Sequence, residues 1–268
     1  MVMIKIITLS VLFVFNTSLL FAQKEKMQTV KVRGEYTVLS TSSALEWQQA
    51  PQLARENAKL NAIEKVCGSK ISAWNQVEMS ATGETFNSLT QVQHDGEIVE
   101  FTIINEGAFR SDVRHIETIF YCEARVVVKR GVAVDPNFIV DVSGIKPVYY
   151  DGEAIQFKVI PYQDCWLKIF IFENDSLGYR IYPNNIEQPS LLNARQEMFF
   201  PTIKHYEYSV FKSTNNSFET NRLVLVFTKE ELPFYMETYS RAEIEKWIAL
   251  IPNDKKFLYS VAFDIKQP

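Results

Sequence analysis

Hydrophobic positions recur at two periods along this chain, and the change from one to the other organises it. Val30 to Leu39 reads as a first strand. Ala54, Ala58, Ala62 and Val66 then recur every fourth residue, with Leu53, Leu60 and Ile63 beside them. That spacing puts them on one face of a helix running from Ser43 or Pro51 to Cys67. Alanine on the stripe lets a helix lie close to a sheet, and Gly68 stands where a glycine ends a helix. Ile71 to Met79 is a candidate second strand, and the polar run from Ser80 to Gly96 reads as an exposed excursion. Val99, Phe101 and Ile103 alternate with Glu100 and Thr102, the mark of a half-buried strand. The clearest strand is Ile119 to Lys129. There Phe120, Cys122, Ala124, Val126 and Val128 face one way and Tyr121, Glu123, Arg125 and Lys129 the other, with Val127 out of step. One helix on a small antiparallel sheet makes residues 24–132 an α+β domain.

A short linker at 131–137, Gly-Val-Ala-Val-Asp-Pro-Asn, separates this from a region patterned almost wholly at period two. Strands are expected at Phe138–Val142, Ala154–Ile160, Trp166–Phe172, Tyr179–Tyr182, Phe199–Phe200, Tyr206–Phe211, Leu223–Thr228 and Phe257–Ile265. Trp166–Phe172 is apolar on both faces, as a central strand would be. Turns fall at Tyr150–Glu153 and Asn174–Gly178. One helix intervenes: Ser240 with Glu243 forms a capping box, Ile244, Trp247, Ile248 and Ile251 form an apolar stripe, and Pro252 stops it. Residues 133–268 are thus expected to form a β-sandwich with one packed helix, and the chain as a whole is a mixed fold.

Composition narrows the function. Hydrophobic residues make up 47% and charged residues 22%, as in ordinary globular proteins. The net charge of −4 offers no basic excess for phosphates, so nucleic acid is not an expected partner. Nine glycines are present and the closest two, Gly144 and Gly152, are eight apart. Dinucleotide fingerprints, P-loops and nucleophile elbows all need glycines far closer than that, so none of them can be written. No cofactor is expected.

The first residues read as an address. Lys5 precedes an apolar run from Ile6 to Phe15, Asn16–Thr17–Ser18 breaks it, and Ala22 offers a cleavage point. This is the layout of a secretory signal peptide over residues 1–22. The run is shorter than the ~20 apolar residues that span a bilayer. Cleavage removes one positive charge, Lys5, and takes the net charge from −4 to −5.

Export permits disulfides. Cys67 ends the first helix and Cys122 lies on the apolar face of the main strand, which leaves two readings: a bridge, or two buried thiols. Cys165 precedes a core strand and is expected to be buried and inert. His94, His115 and His205 never fall at metal-ligand spacing, and no metal site is expected. Ser209–Val210–Phe211–Lys212 matches a Ser-x-x-Lys string, but in a strand pattern and without a Lys-Thr-Gly partner, so it reads as chance. Asp175–Ser176–Leu177 resembles a bacterial O-glycosylation acceptor at Ser176, against the plainer reading of a turn. Trp74, Tyr149, Tyr150, Tyr235 and Tyr239 are aromatics at strand ends or loops, able to stack on sugars or peptides or simply to cap a sandwich.

Tyr150–Asp151–Gly152–Glu153, Asp164 to Phe170, Tyr182–Pro183–Asn184, Arg222 to Thr228 and the Trp247 helix together resemble the bacterial family known as domain of unknown function 4384, over roughly residues 138–265. The Ala54–Ala58–Ala62 helix, Val99 to Ile103 and the Ile119–Val128 strand are similar to the N-terminal domain of the flagellar assembly T protein and of small outer-membrane lipoproteins. These resemblances imply a β-rich accessory protein in the periplasm of a gram-negative bacterium, with no catalytic residues to carry over. The expected role is a non-enzymatic interaction or assembly module whose partners are envelope proteins or a surface ligand. A glycan- or peptide-binding module and a hydrolase with a dispersed site are the alternatives.

Overall fold

The computed structural model describes residues 27–68, 70–73, 90–93, 96–111, 116–173, 177–214, 216–234 and 238–267. Residues 1–22, Trp74, His94, His115, Asn174, Ser176, Asn215 and Tyr235 lie outside them.

The first half forms β1 (Met27–Leu39), α1 (Ala44–Cys67), the paired β2 (Lys70–Ala73) and β3 (Thr90–Gln93), β4 (Gly96–Arg110) and β5 (Glu117–Arg130). β5 is central, with β1 and β4 antiparallel on either side. Its alternation is as the sequence dictates: Cys122, Ala124, Val126 and Val128 are buried under α1 with Ala54, Ala58 and Ala62. The helix begins at the earlier of the two expected starts. The Ser43 hydroxyl accepts from the Glu46 N–H at 3.1 Å, and Trp47 sets its ring edge-on to Phe120 at 5.8 Å. These anchors carry the helix through Pro51. Gly68 ends it at φ 72°, with its N–H bonded to the Glu64 carbonyl at 2.9 Å.

The helix rests on the sheet at Gly34. A Cβ there would lie 2.1 Å from the Ala58 nitrogen and 2.3 Å from the Ala54 oxygen, so only glycine admits this approach. Three side chains one turn apart on α1 then reach over the edge strand. Asn57 donates to the Glu35 carbonyl at 2.7 Å, Asn61 to Arg33 at 2.8 Å and Lys65 to Lys31 at 3.2 Å. These alternate carbonyls point away from β5, so α1 occupies the hydrogen-bonding edge of β1 as well as its face.

Expectation and structure part on β4. Register shifts between Ile98 and Glu100 and between Ile103 and Asn105 mark bulges that re-aim the side chains. Phe101 stays half-buried, whereas Val99 and Ile103 are exposed. A single inserted residue reverses which face follows it, and simple alternation does not reveal the insertion.

The second half forms β6 (Val140–Ser143), β7 (Val148–Tyr150), β8 (Phe157–Pro161), β9 (Trp166–Glu173), β10 (Leu177–Tyr182), β11 (Met198–Phe200), β12 (Phe218–Thr228), β13 (Thr238–Ser240), α2 (Arg241–Leu250) and β14 (Lys256–Lys266). Six strands make one sheet in the order β13-β10-β9-β12-β14-β7, antiparallel except for the parallel β14–β7 pair. The sheet β11-β8-β6 packs on one of its faces through Phe157, Val159, Leu167, Ile169, Leu223, Leu225 and Phe263. α2 covers the other through Ile244, Trp247, Ile248 and Ile251 against Phe170, Phe172, Val224 and Val226. The β-sandwich with one packed helix is therefore present, as is the capping box of Ser240 and Glu243. Gly178 lies within β10 rather than in a turn, and glycine is required there because a Cβ would meet the Phe172 and Ile244 side chains. Tyr206–Phe211 is not a strand. It runs beside residues 152–155 through Gly152 N–H to Val210, Val210 N–H to Glu153 and Ile155 N–H to Tyr208, with one bridge from Ala154 to Ser209.

No helix among the described residues is long and apolar enough to cross a membrane. Gly34→Ala should cost about 1–3 kcal/mol, since backbone atoms must give way. Chemical denaturation should show a lower midpoint at an unchanged slope, and a wild-type midpoint would show that α1 does not bear on Gly34.

Candidate functional site

The two helices face each other between the sheets. The flank of α1 turned from its sheet presents Leu53, Glu56, Asn57 and Leu60. Opposite stand Trp247 and Leu250 of α2, with Pro233 and Phe234 from the preceding loop. Leu250 also packs against the core beneath α1. The seam encloses a small apolar pocket of about 80 Å³. On one flank it opens to a cleft of about 460 Å³ that adds Lys59, Glu97, Phe101 and Lys255, and on the other to a polar cleft of about 610 Å³ that adds Arg33, Glu35 and Asn61.

Aromatic contacts and backbone bonds fix the pocket wall. Trp247 donates its indole N–H to the Pro233 carbonyl at 3.2 Å, and Phe234 sits edge-on to it at 5.0 Å. Arg180 donates to the Phe234 carbonyl at 2.7 Å, holding that loop to β10. Lys256 reaches under the helix and donates to the Ile248 carbonyl at 2.9 Å, serving a terminal carbonyl that α2 leaves without a basic residue in its last turn. Burial depresses Lys256, and likewise Lys168, to about 8. Across the seam Lys255 pairs with Glu97 at 3.4 Å; on its own side it meets Glu230 at 3.5 Å, and Asn253 donates to the Val132 carbonyl at 3.4 Å.

Two acidic groups of the seam are desolvated. Tyr36 donates to Glu46 at 3.4 Å and is pushed up to about 12, first by burial and then by Glu46 and Glu243. Burial also raises the Glu56 carboxyl, against the Gln52 hydrogen bond and Lys59, which favour its ionised form. Neither group faces a nucleophile. Among the described residues lining the pocket there is no histidine, serine or cysteine, and no group of three His, Cys, Asp or Glu among the described residues is placed to hold a metal. An apolar floor with a few converging polar groups is the usual form of a ligand-binding or active site.

The candidates read from the sequence are scattered. The bridge between Cys67 and Cys122 is corrected: no disulfide joins them. The Cys67 sulfur packs against Gly96, which pairs with Arg130, whereas Cys122 pairs with Gly34. These positions are eight residue steps apart on β5, roughly 27 Å of strand, against the ~7 Å that a disulfide allows. Cys165 is buried, and burial pushes its thiol up to about 12, so it is not a nucleophile at neutral pH. Ser209 sits in an isolated bridge, and Lys212 bonds the Asn216 carbonyl rather than Ser209. Tyr149 is buried and its hydroxyl accepts from the Lys146 N–H, whereas Tyr150 is exposed. The residues that build the seam were visible only as helix stripes. Glu56 and Asn57, polar positions flanking the Ala54–Ala58 face, were the overlooked signal.

No protein-family model matches this chain, and no curated protein matches it.

Glu56→Gln should stabilise the protein at pH 7. A carboxyl whose folded value lies above its ordinary 4.5 costs stability as pH rises through that range and costs nothing below it. The advantage of the variant in denaturation midpoint should therefore vanish near pH 4; an advantage independent of pH would rule out the desolvated charge as its cause.

Proposed function

We propose that the protein is an exported, non-enzymatic interaction or assembly module of a gram-negative cell envelope, engaging an envelope protein or surface ligand through the α1–α2 seam. The observation that carries this reading is the joint construction of the pocket. Leu53 and Leu60 come from α1, Trp247 and Leu250 from α2 and Phe234 from the loop before it, and the charged residues Glu243 and Lys246 line the same pocket. A partner seated there would touch both halves at once and hold them in one arrangement. The signal-peptide layout at residues 1–22 supports export. The resemblances to the domain of unknown function 4384 family and to the flagellar assembly T protein N-terminal domain support the envelope setting. The first half is read as residues 24–132 and the second as 133–268.

The test is site-specific photo-crosslinking in a gram-negative host expressing the full chain. A probe at Lys246, on the rim, should give a discrete adduct that disappears when residues 1–22 are deleted. A probe at Lys31, on the outer face of the first sheet, should give none. Equal labelling at both positions, or none at Lys246, would overturn the reading.

A further inference from the structure

The outer face of the β11-β8-β6 sheet carries a second recess, remote from the seam in its lining residues. Its floor is one cross-strand row. Phe199 on β11 lies directly opposite Lys158 on β8, and Lys158 lies opposite Ser143 on β6. Phenyl ring, ammonium and hydroxyl therefore stand side by side on one face. Phe199 is 61% exposed, a large apolar ring left in water. The wall is the segment from Pro201 to Tyr206, and the groove holds about 450 Å³, within the ~300–1,000 Å³ of small-ligand sites.

The wall is built in advance. Glu187, 1% exposed, accepts from the Thr202 N–H at 2.5 Å, the Ile203 N–H at 3.2 Å, the Thr202 hydroxyl and the Tyr208 hydroxyl. One buried carboxylate thus gathers the loop that lines the groove. Tyr208 stacks on Phe200 at 4.8 Å, and Tyr206 stands edge-on to Tyr208 at 5.0 Å. At the lip His205 holds φ at 72°, a left-handed conformation uncommon for a residue with a side chain and one that clusters at functional sites.

The charge is one-sided. Lys158, Lys204 and His205 line the groove and no Asp or Glu does, on a chain of net charge −4. Glu197 holds the Lys158 ammonium at 3.0 Å from just outside. An exposed ring, a hydroxyl and an amide (Ser143 and Gln156), the Lys204 ammonium and a Lys158 ammonium shared with Glu197 call for a ligand with an apolar face, hydroxyls and an acid group. A peptide adds to a sheet edge through main-chain bonds, whereas this floor is a sheet face whose β8 backbone is already paired on both sides.

We infer that this groove binds an acidic oligosaccharide of the uronic-acid type. The ring of the sugar stacks on Phe199, its hydroxyls meet Ser143 and Gln156, and its carboxylate meets Lys158 and Lys204. The inference does not rest on the seam.

The test is calorimetric titration of the full chain with a tetramer of 1,4-linked galacturonic acid, its methyl-esterified neutral counterpart, and tetraglutamate. The acidic tetramer should bind. Phe199→Ala, an exposed position, should weaken it about tenfold, and Lys204→Glu should weaken it at least as much. The neutral ester should bind several-fold more weakly, and added salt should reduce acidic binding. Lys246→Glu in the seam should leave the affinity unchanged, which separates this result from that of the crosslinking. No binding of the acidic tetramer, binding indifferent to Phe199→Ala and Lys204→Glu, or tetraglutamate binding as tightly would each overturn the inference.

Discussion

The seat of α1 on Gly34 is the constraint on which the rest of the molecule turns. With no Cβ between them, the helix backbone touches the strand backbone at Ala54 and Ala58. That contact sets both the depth and the rotation of the helix. Once they are set, Asn57, Asn61 and Lys65 fall over the β1 carbonyls, and Leu53, Glu56 and Leu60 turn towards the opposite core. A helix lifted by the width of a methyl group would lose the carbonyl ladder, because hydrogen bonds of 2.7 to 3.2 Å have no slack to give. Face, edge and seam are therefore consequences of one missing side chain.

The opposite wall of the seam depends on a different economy of space. Gly178 lets α2 settle on β10 as Gly34 lets α1 settle on β1. Polar groups then work where the helix has no resources of its own. Lys256 serves the Ile248 carbonyl from below, and Arg180 holds the loop that carries Phe234. Each helix thus sits over a glycine and is tied by long side chains, reaching out from α1 to the β1 carbonyls and in from the strands to α2 and the loop before it. The seam between them is positioned by contacts that lie outside it.

Much of this was legible along the chain. The Ala54–Ala58–Ala62 stripe, the Ser240–Glu243 box and the alternation of Cys122 to Val128 each describe an interaction between near neighbours in sequence, and each appears as expected. The misses share a cause. The β4 bulges depend on how β5 pairs with it, and the failed strand at Tyr206–Phe211 depends on which backbone groups residues 152–155 leave open. Cys67 and Cys122 border one core, as their apolar surroundings imply. Their separation is a matter of length along β5, which hydrophobic pattern does not encode. Phe199 and Tyr206 passed as ordinary strand aromatics, since exposure is a property of the packed sheet.

The sequence by itself determined both helices and their buried faces, most of the strands, the exclusion of glycine-rich phosphate loops and the signal-peptide layout of the first residues. These follow from local periodicity and residue chemistry, which act over a few positions. The tertiary structure alone decided that α1 and α2 meet, that Glu56 is desolvated between them, and that Lys158 and Phe199 share an open face while Glu187 organises the wall beside them. Each of those facts joins residues far apart in the chain. They exist only once Gly34 has brought helix backbone against strand backbone and Gly178 has made room for the Phe172 and Ile244 side chains.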